Sequence, residues 1–414
     1  MAIIRPFKAI RPQKELAELV AALPYDVMSS DEAREIVKGN PHSFLHVDKA
    51  EIDLDESIDL YDTRVYQKAS ENLNQMIEDN VLQQDVKPSF YVYQQIMDGR
   101  PQTGLVVCVS IDDYLNNVIK KHENTRADKE ADRINHVDYC DANTGPIFLT
   151  YKNNYEIQEV INKSITGEPE YDFIAQGVKQ KVWLIDNDEV IEKLQKLFAK
   201  IPSLYIADGH HRSASGVKVG LKRREANPNY SLDDEFNYFL AVIFPDRDLH
   251  IMDYNRLVVD LNGLNVAQFI ELIKEKFTVE KLNNIDSYKP DAKHNFGMYL
   301  DNCWYKLTAN SDIFKDNDPV DRLDVSILQN NILKPILEID DPRTSDRIDF
   351  VGGIRGIKTL QTRVDSGEME VAFSMYPTTI QDLIDVAEAG KVMPPKSTWF
   401  EPKLLSGLFI HKLS

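Results

Sequence analysis

Cysteine is scarce in this chain of 414 residues: Cys108, Cys140 and Cys303 are the whole set, and no two stand in a CxxC pair. That excludes a disulfide framework and a cysteine zinc site, and predicts a reducing, cytoplasmic setting. No apolar run approaches the ~20 residues of a membrane helix, so no membrane is expected among its partners. The opening MAIIRPFKAIRP is too short in apolar residues for a signal peptide. Positive charge is also in deficit, with 48 Lys and Arg against 67 Asp and Glu and a formal net charge of −19. Such a surface repels a phosphate backbone, which argues against nucleic acid as a partner. Neither GxxxxGKS nor GxxxxGKT occurs, and GxGxxG is missing too. The P-loop and the dinucleotide fingerprint are thereby removed.

What remains is ordinary globular composition, 43% hydrophobic and 28% charged. The length exceeds one small core, and composition suggests cuts near 105 and 255, giving regions 1–105, 106–255 and 256–414. Strand and helix signals alternate throughout, so the expected class is mixed α/β (α+β). PSFYVYQQI and TGLVVCVSI read as paired strands turning at Asp98-Gly99, and FGMYLDNCWYKL as a hairpin turning at Asp301-Asn302. Ser29 and Glu32 have capping-box spacing, as do Thr125 and Asp128. TTIQDLIDVAEAG reads as a helix closed by Gly390.

The densest chemistry lies in LYIADGHHRSASGVKVG, where a short apolar strand meets a helix at Asp208-Gly209-His210-His211-Arg212. A glycine lets backbone N–H groups approach a ligand, and a helix N-terminus offers unpaired donors at the positive end of its dipole. Arg212 and the imidazoles add further donors, and Ser213 follows, so the stretch Gly209 to Ser213 suits a phosphate or diphosphate. Asp208 is then a metal ligand or a helix cap. Upstream, His122-Glu123-Asn124-Thr125-Arg126 sits before an expected helix that carries Arg133 and His136. A carboxylate there can face a pocket and act as general base. Arg126 and Arg133, seven apart, are expected on one helix face. In the tail, MPPKSTWFEPK offers Thr398 and Lys403 as contacts to an anionic ligand, or as pins for the C-terminus. PYDV at 24–27 reads first as a turn, and FLHV at 44–47 as a strand, which argues against His42 and His46 as a metal pair.

The DGHHR stretch after a short strand resembles the phosphate-binding loop of the ParB/sulfiredoxin superfamily. Within it the likeness is greatest to the free-serine kinases, which carry an HE pair upstream, matched here by His122-Glu123. Over the whole chain, RPFKAIRP, PYDV, KKHENTRADKEADR, NTGPIFLTY, ADGHHRSAS and MPPKSTWFEPKLLSGL resemble a bacterial and archaeal family known only as domain of unknown function ten-fifteen. The resemblance implies a ParB/sulfiredoxin-like core with N-terminal and C-terminal α/β additions. It implies a phosphotransferase acting on a small hydroxylated metabolite, free L-serine giving O-phosphoserine, with ATP, ADP or pyrophosphate as donor and Mg²⁺ as cofactor. His122, Glu123 and Asp208 would be catalytic, Asp208 holding the metal, and Gly209 to Ser213 would hold phosphate. Arg126, Arg133, Thr398 and Lys403 would touch phosphate or acceptor. Glu123 and Asp208 stand 85 positions apart, more than the compact kinase core spans, which implies an insertion over about 155–197. Two other readings stay open: a non-catalytic ParB-like nucleotide-binding module, and a metal-assisted phosphohydrolase. A second copy of the chain also stays open as a partner.

Overall fold

The computed structural model describes residues 1–283 and 285–414 and divides them into two compact units, 1–249 with 402–414, and 250–401. The cut expected near 105 falls inside a continuous strand, and the last 13 residues return to the first unit rather than closing the second. The class is mixed α/β.

The first unit is built on a nine-stranded sheet. In chain order its strands are β1 (Ile4–Arg5), β2 (Phe90–Met97), β3 (Arg100–Ser110), β4 (Ile119–Lys120), β5 (Ile147–Tyr151), β6 (Tyr171–Ala175), β7 (Val178–Ile185), β8 (Leu204–Asp208) and β9 (Tyr238–Pro245). Their spatial order is β4-β8-β5-β9-β3-β2-β7-β6, with β1 added on β3. The β8–β4 and β9–β5 pairs are parallel and the rest antiparallel. Asp98 and Gly99 both have positive φ and close the expected two-residue turn between β2 and β3.

Leu105 to Val109 are all fully buried, as a run of unbroken apolar residues requires when both faces of a sheet are covered. On one face Val92, Leu105 and Val107 pack in a cluster with Ile161 and Leu194. Those two come from helices α4 (Tyr155–Ser164) and α5 (Asp188–Phe198) of the expected insertion. Its other segments, β6 and β7, extend the sheet. The opposite face of β2 presents Tyr91 and Tyr93 to Phe409 of the tail, and Phe7 packs edge-on against Tyr91. Backbone bridges Ile10–Ile410 and Ala22–Ser406 stitch that tail in place. Around this core stand α1 (Ser30–Ile36), with its Ser29–Glu32 capping box formed, α2 (Thr63–Glu78), α3 (Ala127–Cys140) and α6 (His210–Ala226). Leu45–Asp48 is helical, so FLHV is not a strand; His46 lies 2.8 Å from Asp53.

The second unit holds a six-stranded, wholly antiparallel sheet. Its strands are β10 (Tyr254–Val258), β11 (Phe277–Leu282), β12 (Asn295–Leu300), β13 (Cys303–Ala309), β14 (Ile348–Gly352) and β15 (Val371–Met375), in the order β11-β13-β12-β15-β10-β14. Asp301 and Asn302 close the β12–β13 hairpin with positive φ, as expected. Helix α7 (Ile380–Glu388) ends with Gly390 at φ 64°, also as expected. Among the described residues, no helix is long and apolar enough to cross a membrane.

Candidate functional site

The site grows from the end of β8. Register against β5 shifts between Ile206 and Asp208, an irregularity of the kind that re-aims a strand end. Gly209 then turns the chain at φ 95°, a conformation costly for any residue with a Cβ. A Cβ there would also meet the Arg212 guanidinium at 3.3 Å, since Arg212 folds back over the turn. Helix α6 starts at once, and its N-terminus differs from those of α4 and α5. Asn154 and Asn187 each accept two backbone N–H bonds at those helices, whereas α6 has glycine at its N-cap and no side-chain cap.

The first-turn N–H groups of His210, His211 and Arg212 therefore stand at the positive end of the dipole without an intrahelical acceptor. The cradle is narrower than the sequence suggests. Gly209 N–H donates to Asp208 Oδ1 at 2.9 Å, and Ser213 spends both its N–H and its hydroxyl on the Gly209 carbonyl, at 2.9 and 3.0 Å.

Two imidazoles meet at the turn. His122 follows β4, the parallel neighbour of β8, so the sheet itself carries it to the turn. The His122 and His210 rings meet edge to face, centroids 4.5 Å apart, with 2% and 5% of their surfaces exposed. His210 Nδ1 stands 3.7 Å from Glu123 Oε2, and the Glu123 carboxylate is nearly half exposed. Burial pushes His122 down to about 4, with the Ile206 backbone and Asp208 opposing it only in part. Burial and the neighbouring His122 push His210 well below its ordinary value, so both rings are neutral near pH 7 and the contact with Glu123 is not an ion pair. His122 Nδ1 and Nε2 and His210 Nε2 make no well-formed hydrogen bond among the described residues. One ligand atom from each of His122, Glu123 and His210 lies within 4.8 Å of the others.

Asp208 stands at the same turn, near enough for its charge to act on both rings. Its Oδ2 lies 3.3 Å from Lys403 Nζ, brought there by the tail. Burial would raise this carboxyl, yet Lys403 and Arg212 outweigh it and hold it well below the usual carboxylate range. Arg212 Nη1 donates to the Pro146 carbonyl at 2.7 Å.

The remaining candidates divide. Arg126 N–H donates to His211 Nε2 at 3.0 Å, tying the start of α3 to the turn. The Arg126 guanidinium itself is exposed and pairs with Asp128. Arg126 occupies the N-cap of α3 without its side chain capping the helix, so the Thr125–Asp128 capping box does not form; Thr125 donates to Glu130 instead. Arg126 and Arg133 differ in surroundings: Arg126 is exposed at the N-cap, whereas Arg133 is buried, pairs with Asp132 and lies 4.0 Å from the Tyr25 ring centre. The recess that Arg133 lines with Tyr25, Asp48, Thr144 and Arg212 offers about 20 Å³, room for a single water and not for an acceptor carboxylate. Thr398 belongs to the second unit, half-buried beside the strand Trp399–Phe400.

The sequence profile of a family described as "Protein of unknown function (DUF1015)" matches residues 4–326. The chain belongs to the DUF1015 family. No curated protein matches it. Among solved structures it is similar to a free serine kinase in complex with AMP, at 14% identity and TM-score 0.36, covering 71% of this chain and 86% of that one. It is similar at TM-score 0.36 and 14% identity to a conserved hypothetical protein from Pyrococcus furiosus, covering 73% and 94% of the two chains. A C-terminally truncated SbnI from Staphylococcus aureus gives 0.38 at 12% identity, covering 73% and 85%.

In this DUF1015 chain, stretches far apart in sequence meet at one turn. Tyr25 of PYDV lies on Arg133, Gly145 and Pro146 of NTGP lie against Arg212, and Lys403 reaches Asp208. Sequence reasoning missed Asp48, which accepts from Thr144 at 2.8 Å, and the burial of His136 against the Val47 carbonyl. No local signal marks them, since their partners lie 96 and 89 residues away.

Proposed function

We propose that this protein is a phosphotransferase that moves a phosphoryl group from ATP, ADP or pyrophosphate to the hydroxyl of a small metabolite, free L-serine giving O-phosphoserine. The observation that carries this reading is the 3.7 Å approach of Glu123 to His210, which joins the HE pair to the DGHHR turn. The likeness of both motifs to those of free-serine kinases supports it. Glu123, open to solvent, takes the proton of the acceptor hydroxyl as the oxygen attacks phosphorus. The helix N–H groups of His210, His211 and Arg212 bind the donor's phosphate oxygens, and Arg212 and Lys403 offset their charge. Transfer of this kind depends on positioning and electrostatics more than on covalent help from the protein.

Asp208 fits the Mg²⁺ that accompanies such donors: it stays ionised, is about a third exposed, and Mg²⁺ needs only one or two carboxylates beside phosphate and water. When bound, the ion would neutralise donor phosphate charge. Arg133, enclosed as it is, holds α3 against Tyr25 rather than touching substrate.

The test is incubation of the protein with Mg²⁺, L-serine and each donor in turn, followed by mass detection of O-phosphoserine. Product with one donor, lost in Glu123→Gln, is the expected result. Tight nucleotide binding with no product from any donor would turn the reading to a binding module, and donor breakdown without serine to a hydrolase.

A further inference from the structure

Four ring nitrogens meet at the turn. Three of them, both of His122 and Nε2 of His210, make no well-formed hydrogen bond among the described residues, the Ile206 backbone being the polar neighbour of His122, in side chains more than nine-tenths buried. Buried polar atoms are nearly always satisfied, and each neutral ring carries one N–H and one lone pair, so the two rings hold one lone pair each that a metal ion can accept. The fourth nitrogen, His210 Nδ1, faces the Glu123 carboxylate at 3.7 Å. In a tetrahedral site with bonds of about 2.1 Å, adjacent ligand atoms are separated by about 3.4 Å. The nitrogen–oxygen distance is thus close to coordination spacing. The full set lies within 4.8 Å, somewhat wider than that spacing, so binding would draw the three ligand atoms inward.

The geometry points to a divalent transition-metal site formed by one nitrogen each of His122 and His210 and one oxygen of Glu123. Two imidazoles and one carboxylate suit Zn²⁺ or Mn²⁺ over Mg²⁺, which prefers oxygen throughout. With three protein ligands, the site keeps at least one position open to water or to a hydroxyl, and Glu123, exposed on one side, gives it an entry path. The site is distinct from the Asp208 carboxylate and goes beyond the proposed phosphoryl transfer. A metal here would engage the very carboxylate that transfer uses as a base, and a coordinated carboxylate is a weaker base.

The test is equilibrium dialysis of chelator-stripped, full-length protein against buffered Zn²⁺, with bound metal counted per chain and no donor or serine present. One Zn²⁺ per chain is expected, retained against excess Mg²⁺. Glu123→Gln, a nearly isosteric change, should weaken binding by about 100-fold, as should His122→Gln and His210→Gln. Co²⁺ in place of Zn²⁺ should give a visible absorption band that Glu123→Gln abolishes. Wild-type protein that holds no Zn²⁺, or Glu123→Gln that binds as tightly as wild type with an unchanged circular dichroism spectrum, would overturn the assignment. The phosphoserine assay on stripped protein supplied with Mg²⁺ alone is independent of this result. Product without Zn²⁺ binding removes only the metal site, and Zn²⁺ binding without product removes only the transferase reading.

Discussion

One group at the Gly209 turn is His122 and His210, buried, edge to face and neutral, with the Glu123 carboxylate at their rim. The other is Asp208, Lys403 and Arg212, an ionised carboxylate held by cations. The same turn therefore joins a place where a proton or a metal cation can be taken up to a place where anionic oxygens can be gathered. Desolvation acts on both groups with opposite outcomes. Around the rings nothing outweighs it, and charge is lost; at Asp208 two cations outweigh it, and charge is kept.

Removing the base should break the comparison most severely. Glu123→Gln is expected to lower phosphoserine formation by about 10² to 10⁴-fold with an unchanged melting temperature, the usual range for a lost general base.

The neutral group should also appear in acid stability, measured by denaturant unfolding of stripped protein across pH. His122 titrates near 4 when folded and near its ordinary 6.5 when unfolded, so the unfolded chain takes the proton first. Stability should fall as pH drops below 6.5 and finish falling near 4, by about 3 kcal/mol for this ring. His210, shifted in the same direction, should add to the loss. A His122→Gln variant should have a shallower acid limb, and an unaltered one would remove His122 as its cause.

In the charged group, Arg212→Ala should weaken pyrophosphate binding by about 2 kcal/mol, or roughly 30-fold, as read by calorimetry. Arg212→Lys should recover only part of it, because the fork geometry is gone. The smallest effect is expected at the pivot. Gly209→Ala forces a Cβ into left-handed backbone at φ 95° and should cost about 1–2 kcal/mol in unfolding free energy. Equal melting temperatures would show the turn to be more forgiving than its φ implies.

Much of the fold was legible locally. Apolar runs marked β2, β3 and β8, and the turns at Asp98-Gly99 and Asp301-Asn302 followed from residues that tolerate positive φ. The Ser29 capping box formed where its spacing placed it, and the Thr125 one did not. There the N-terminus of α3 lies against His211, and Thr125 turns to Glu130. Arg133 shows the same limit: a charged residue in a polar stretch reads as exposed, and only packing against Tyr25 reveals it as buried.

The sequence by itself determined that a strand meets a helix at a glycine flanked by Asp208 and two histidines, because apolar runs, glycine and helical spacing are short-range signals. It could not say that His210 turns inward to His122 while Arg212 turns back over Gly209, nor that Lys403 joins Asp208 across 195 positions. Those choices rest on which strand lies beside β8, and on the burial that makes one neighbour a neutral ring and another a lasting charge.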